Sequence, residues 1–197
     1  MEVFRNPNRV RKDFAELANN DTGFIRLMAE TGSMKTFNVE VDGPTDSPYH
    51  TGKFVVNVTI PPNFPYDPPK MKLVTRVWHP NISCRGKLCV DILDENWVPG
   101  MTLLEVLEAI RGLLSNPNPN SPLNVEAAVM YRDTRAMYEQ VCITFTNTYA
   151  EGRRAEWEME EKVSVLTALG VSRWDAVQKL AMMKCNVQDV IDDLHLD

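Results

Sequence analysis

No apolar run in this sequence approaches the ~18 residues that a membrane-spanning helix needs, and the opening stretch MEVFRNPNRV has no hydrophobic segment behind its charges. Neither a span nor a secretory signal is expected, and the expected location is the cytoplasm or nucleus. Cysteine is scarce: the four residues, at 84, 89, 142 and 185, are irregularly spaced, which in a reducing compartment argues against a disulfide framework. A surplus of positive charge is also missing. With a formal net charge of -6 the chain has no broad phosphate-binding surface, and nucleic acid is not an expected partner. Internal repeats and low-complexity tracts are absent.

What is present suits a globular protein. At 197 residues and 44% hydrophobic, the chain can bury a full core, with room for one medium domain and a small appendage. The acidity is uneven. Residues 155–197 carry nine acidic and four basic side chains, a balance of -5, which leaves -1 for the first 154. Arg5, Arg9, Arg11 and Lys12 instead crowd the start and predict a locally positive helix able to meet an acidic protein partner.

Periodicity orders the elements. Val10, Phe14, Leu17 and Ala18 recur at helical spacing in NPNRVRKDFAELANN. Phe37, Val39 and Val41, then Phe54, Val56, Val58 and Ile60, alternate as antiparallel strands with one buried face. The proline-rich NFPYDPPK leads in extended form to a further short strand. In TLLEVLEAIRGLL, Thr102 and Glu105 form a capping box ahead of a stripe of Leu103, Leu107, Ile110 and Leu114. After the break SNPNPNSPLN come helices over VEAAVMYR and RAMYEQVCITFTNTYA, the second capped by Asp133 or Thr134. Strands first and helices later give an α+β domain. Beyond the polar joint EGRRAEWE, Met159, Val163 and Leu166, then Val177 and Leu180, then Val187, Val190, Ile191 and Leu194 mark three short helices.

The chemistry concentrates in HPNISCRGKLCVDIL, from His79 to Leu93. Zinc wants four nitrogen or sulfur ligands, and only His79, Cys84 and Cys89 are near one another, so no metal is expected. A disulfide closing the loop from Cys84 to Cys89 is equally out of place in a reducing compartment. A nucleophilic thiol remains, against the plain alternative of two ordinary turn or core cysteines. Arg85 and Lys87 would favour a Cys84 thiolate, whereas Cys89 sits at the end of a loop fixed by buried neighbours. Residue types alone do not choose between them.

The run HPNIxxxGxLCxDIL, with GPTDSPYHTGKF, FPYDPPK, NWVPGMTLLEVL and PNPNSPLNVEAA in the same order, resembles the ubiquitin-conjugating enzymes over roughly residues 9 to 150. The resemblance implies an α+β ubiquitin-conjugating fold, a four-stranded antiparallel sheet with flanking helices, in residues 1–153. ALGV and NVQDVIDDL in residues 154–197 resemble a three-helix ubiquitin-associated domain. The two together resemble a subclass that builds ubiquitin chains mainly through ubiquitin's lysine 48.

By this resemblance Cys89 accepts ubiquitin as a thioester from the activating enzyme, and a lysine amine of a substrate or of another ubiquitin then attacks the carbonyl, usually with a ligase. A thiol with a pKa near ~8.5 is partly ionised at neutral pH, so loading needs neither a dedicated base nor a cofactor. The resemblance gives Asn81 the role of donor to the tetrahedral oxyanion and Asp91 that of lowering or orienting the incoming lysine. His79 is a brace of the loop. Ser121 stands where many members carry aspartate. Arg9, Lys12, Tyr66, Trp97 and Pro99 fall where the family docks the activating enzyme and a RING or HECT ligase. Leu169, Gly170 and Val171 fall in the ubiquitin-binding turn of the small domain, with Val171 where an aromatic is usual. The alternatives are a conjugating enzyme for another ubiquitin-like modifier and a non-catalytic ubiquitin-binding scaffold.

Overall fold

A computed structural model describes residues 4–28, 34–89, 96–150, 153–183 and 187–194. Its elements run α1 (Pro7–Ala18), β1 (Ile25–Leu27), β2 (Thr36–Asp42), β3 (Lys53–Thr59), β4 (Lys70–Leu73), α2 (Leu103–Ser115), α3 (Val125–Asp133), α4 (Arg135–Tyr149), α5 (Arg153–Ala168), α6 (Arg173–Met182) and α7 (Val187–Leu194). No described helix is long and apolar enough to cross a membrane.

The four strands form one antiparallel sheet in the order β1-β2-β3-β4. Register puts Val39 opposite Val56, Val41 opposite Phe54 and Val56 opposite Leu73, so the alternating residues read from the sequence share the buried face. The outer face is polar: Asn57 donates to Asn38, and Arg26 and Lys53 both pair with Glu40. β1 is too short to show a period of two, and it finds its place by pairing Ile25 with Val41.

α1 starts at Pro7, with the Asn6 side chain accepting from the Arg9 N–H. Val10 and Leu17 are buried and Phe14 is half-buried, but Ala18 is exposed and Asp13 takes the inner position. Its carboxylate accepts from Arg9 Nε at 2.7 Å, which offsets the cost of burying a charge. The capping box of α2 is present in both directions, and Leu103, Val106, Leu107, Ile110 and Leu114 fill the space against the sheet. α4 departs from expectation at its start. Thr134 is the N-cap residue, yet its side chain caps nothing and its hydroxyl lies 3.5 Å from the Met130 carbonyl of the preceding helix, because α3 and α4 almost abut.

Helices α5 to α7 do not hang free. Met159, Val163, Leu166, Ala176, Val177, Leu180 and Val190 are buried in a core continuous with that of the sheet domain. The fastening is Trp174 of α6. Its ring stacks on Trp78 at 5.8 Å between centroids and meets Phe145 of α4 edge-on at 6.4 Å. Around it, Glu160 of α5 pairs with Arg173 and with Arg76 of the sheet domain. Trp174→Ala is expected to lower the unfolding free energy by about 2 kcal/mol, less than for a wholly buried tryptophan because this ring is half-exposed. It should also speed proteolysis between α4 and α5. A denaturation midpoint by circular dichroism and a cleavage rate both equal to wild type would refute the docking.

Candidate active site

The segment after Val77 turns back on itself as a short hairpin. Ile82 bridges Leu88, both buried, and the Ser83 N–H donates to the Lys87 carbonyl at 2.9 Å. Gly86 makes the turn possible. It lies at φ +78°, and a Cβ there would fall 1.9 Å from the Leu73 carbonyl oxygen, whose own N–H donates to Gly86 O at 2.9 Å.

Two buried polar side chains fix the base of this hairpin. His79 is fully enclosed; its Nδ1 accepts from the Asn81 N–H at 3.0 Å, and its Nε2–H donates to the Leu113 carbonyl of α2 at 3.0 Å. One nitrogen accepts and the other donates, so the ring is neutral in the Nε2–H tautomer, and desolvation pushes its pKa down to about 4 against the pull of the Leu113 carbonyl. Asn81, 2% exposed, uses its whole amide. Nδ2 donates to Asn118 O at 2.8 Å and Ser121 O at 3.1 Å, and Oδ1 accepts from Asn118 N at 2.8 Å. The Pro80 carbonyl takes the N–H groups of Leu123 and Asn124. The 118–124 loop is thereby stitched to residues 80 and 81.

Cys89 follows from this frame. Its N–H donates to Asn81 O at 2.9 Å, which sets the backbone, and its side chain is half-buried and free. Cys84 is an exposed free thiol on the turn. Cys142 is sealed in the core, donating to the Trp78 carbonyl at 3.3 Å, and burial pushes its thiol up to about 12. Cys185 and Asp91 lie outside the described residues, and among those residues no three His, Cys, Asp or Glu side chains gather at one point. Ser121 is exposed, and its carbonyl supplies the bond to Asn81.

The residues assigned to partner docking divide into two kinds. Lys12, Pro99 and Tyr66, the last 68% exposed, stand in solvent. Arg9 is instead committed internally, donating to Pro99 O at 2.6 Å and to Met101 O while covering the Phe64 ring. Trp97 is half-buried, with Nε1 donating to Pro65 O at 2.8 Å. These two brace the loops that carry Tyr66 and Pro99, while Lys12 stands on α1. In the turn after α5, Leu169 is exposed, Gly170 lies at φ +89° and Val171 is half-buried. A cavity of about 410 Å³ joins this turn to Glu126 of α3.

Sequence reasoning missed two supports. Asn118 holds both ends of the Asn81 amide but is one of several asparagines in a breaker run, indistinguishable there from turn-formers. Tyr49 donates from its hydroxyl to the Trp78 carbonyl at 2.6 Å and lies 2.9 Å from the Tyr138 hydroxyl, a link across 89 residues that only the fold creates.

The family model described as ubiquitin-conjugating enzyme matches residues 9–146. The chain is 30% identical to the ubiquitin-conjugating enzyme E2-22 kDa of Drosophila melanogaster, over 95% of this chain and 96% of that protein. It is 33% identical to the ubiquitin-conjugating enzyme E2 27 of Arabidopsis thaliana, over 83% and 84%. Among solved structures it resembles a ubiquitin-conjugating enzyme of Plasmodium yoelii, described as putative, at a TM-score of 0.71 and 33% identity, covering 78% of this chain and 100% of that one. It also resembles the E2 domain of a Toxoplasma gondii ubiquitin-conjugating enzyme at a TM-score of 0.68 and 34% identity, covering 73% and 99%.

The buried imidazole makes stability depend on pH. Its folded pKa lies below the ordinary 6.5, so the fold holds the neutral form; the linked stability is complete above pH 6.5 and is lost as pH falls through 4. Between pH 6.5 and 5, where carboxylates remain ionised, the expected loss is about 2 kcal/mol, measured by urea denaturation. A flat profile over that interval would refute the neutral, desolvated ring.

Proposed function

The chain belongs to the ubiquitin-conjugating enzymes, transferases that act through a cysteine thioester, and on that premise we propose that Cys89 is the thiol that carries ubiquitin. The observation that carries the assignment is the contrast among three thiols: Cys142 is sealed, Cys84 rides on a turn, and Cys89 is accessible at the end of a rigid hairpin. In the first step the Cys89 sulfur attacks the carbonyl of ubiquitin's C-terminal glycine, and the sulfur of the activating enzyme leaves. In the second, a lysine ε-amine attacks the new thioester, an isopeptide bond forms, the amine loses its proton and the Cys89 sulfur leaves. His79 is unsuited to take that proton, since both of its nitrogens are bonded inside the protein. Asp91 is the residue we propose to orient the incoming amine.

Asn81 braces the resting site with its whole amide, and we infer that it becomes the oxyanion donor by giving up the longer of its Nδ2 bonds, the one to Ser121. Lys12, Tyr66 and Pro99 form the proposed face for the activating enzyme and a RING or HECT ligase, held in shape by Arg9 and Trp97. We infer further that α5 to α7 are a ubiquitin-associated domain. Support comes from the three-helix arrangement, the left-handed Gly170 in its turn, and similarity to the Drosophila protein over 95% of the chain. Linkage through ubiquitin's lysine 48 belongs to the same proposal and rests on the resemblance of the two parts taken together.

A non-reducing gel after incubation with activating enzyme, ATP and ubiquitin tests the nucleophile. A thiol-sensitive adduct is expected to persist in Cys84→Ser and to vanish in Cys89→Ser; the reverse pattern would overturn the assignment. Asn81→Ala is expected to lower stability by about 1–3 kcal/mol, because it removes the three hydrogen bonds that tie the 118–121 loop to the buried base of the hairpin. Single-turnover discharge to free lysine should slow by about 100-fold with loading little changed. A slowing of less than about fivefold, on protein shown to be folded, would leave Asn81 the bracing role alone.

A further inference from the structure

Lys72 on β4 and Lys87 on the hairpin stand directly opposite each other across an antiparallel bridge, and both are exposed. Like charges in that arrangement repel, and a sequence selected for stability alone would place a carboxylate or a neutral residue at one of them. Among the described residues the cross-strand neighbours do not relieve the repulsion. Cross-strand from Lys72 is Asn57, and cross-strand from Lys70, on the same outer face, is Thr59. Arg85 is exposed on the turn between. Elsewhere on the sheet cations are paired, Arg26 and Lys53 with Glu40, and Arg76 after β4 with Glu160. Lys70, Lys72, Arg85 and Lys87 have no carboxylate partner among the described residues. A chain of net charge -6 thus gathers four cations with no carboxylate partner among its described residues.

The position of these cations matters as much as their sign. Gly86 and its bond to Leu73 press the turn against β4, so the backbone that carries Arg85 and Lys87 is held beside Lys72. A cavity of about 440 Å³ opens beside it, lined by Lys72, Ser83, Arg85 and Trp174 among others. Lys87 and Cys89 flank the buried Leu88 in extended backbone, so they face the same side roughly 7 Å apart.

We propose that this surface receives an acidic segment of the acceptor protein and thereby selects lysines that have glutamate or aspartate a few residues away. The inference rests on Cys89 as the thioester site and names the substrate class of that site. An amine attacking the Cys89 thioester leaves its flanking peptide within two or three extended residues of Lys87, and then of Lys72 and Arg85. A protein segment fits better than nucleic acid, because the patch is small and Glu40 and Asp42 lie on the same outer face, where a long polyanion would meet them.

The test uses the full chain, loaded with ubiquitin, in single-turnover discharge onto two peptides that differ only in having glutamates or glutamines beside one lysine. Rates per loaded enzyme are expected to favour the glutamate peptide by about tenfold at low salt. The preference should fall below about twofold in Lys72→Gln/Lys87→Gln and at high salt. Equal rates with wild type, or a preference that survives in the variant, would overturn the proposal. Fluorescence anisotropy of the two peptides with unloaded protein reads the surface without the thioester. If Cys89 fails to load while glutamate-selective binding persists, the assignment of the nucleophile falls and the acidic-peptide surface stands. If loading proceeds but neither assay distinguishes the peptides, the surface falls alone. An oligonucleotide of equal charge that binds more tightly than the glutamate peptide at the same salt would make this a nucleic-acid surface and also overturn the proposal.

Discussion

The arrangement depends on a chain of hydrogen bonds, buried at its centre, that runs from Leu113 through His79 to Asn81 and on to Asn118 and Ser121 at the surface. Its two central side chains, His79 and Asn81, are enclosed, so breaking one of their bonds would leave their polar atoms desolvated without a partner, a cost well above the net worth of the bond itself. That asymmetry lets so few contacts hold two long loops in register. The Cys89 amide bonds to the backbone of Asn81, and the thiol inherits the precision of the chain. The site is positioned by polar atoms that do no chemistry themselves in the resting protein.

The residue before His79 supports a different part of the molecule. Trp78 offers its carbonyl to Tyr49 and Cys142 and its ring to Trp174. Successive residues therefore hold the C-terminal helices with one side chain and the active-site loops with the next. A shift of α6 would have to be accommodated at Trp78, and the backbone there leads directly into His79. The C-terminal helices are mechanically joined to the site through one peptide link.

Much of this was legible beforehand, and the parts that were not share a physical cause. The inward faces of β2 and β3, the capping box of Thr102 and Glu105, and the apolar positions of α5 to α7 are set by local period and local chemistry, and the fold keeps them. Ala18 and Asp13 exchanged places because a helical stripe read from apolarity alone cannot anticipate that Arg9 pairs with a buried carboxylate. Arg9 itself read as a surface cation, since its partners, the Pro99 and Met101 carbonyls, lie some ninety residues on and are backbone atoms that sequence does not mark. At the site, the cysteine motif was visible as a spacing. The full commitment of the Asn81 amide was not, because it is a property of the loop that folds over it.

Charge follows the same logic. A net value of -6 averages over a C-terminal part that holds nearly all of the excess. In sequence, Lys70, Lys72, Arg85 and Lys87 are scattered among prolines, hydrophobics and a cysteine. The Gly86 turn makes them neighbours by laying the hairpin along β4, where the nearest cross-strand side chains are neutral. The repulsion between Lys72 and Lys87 is a standing cost in the free protein, and an acidic ligand would relieve it on binding. Affinity for such a ligand is thus built partly from destabilisation of the unbound state, and placing that strain two residues from Cys89 ties it to the reaction.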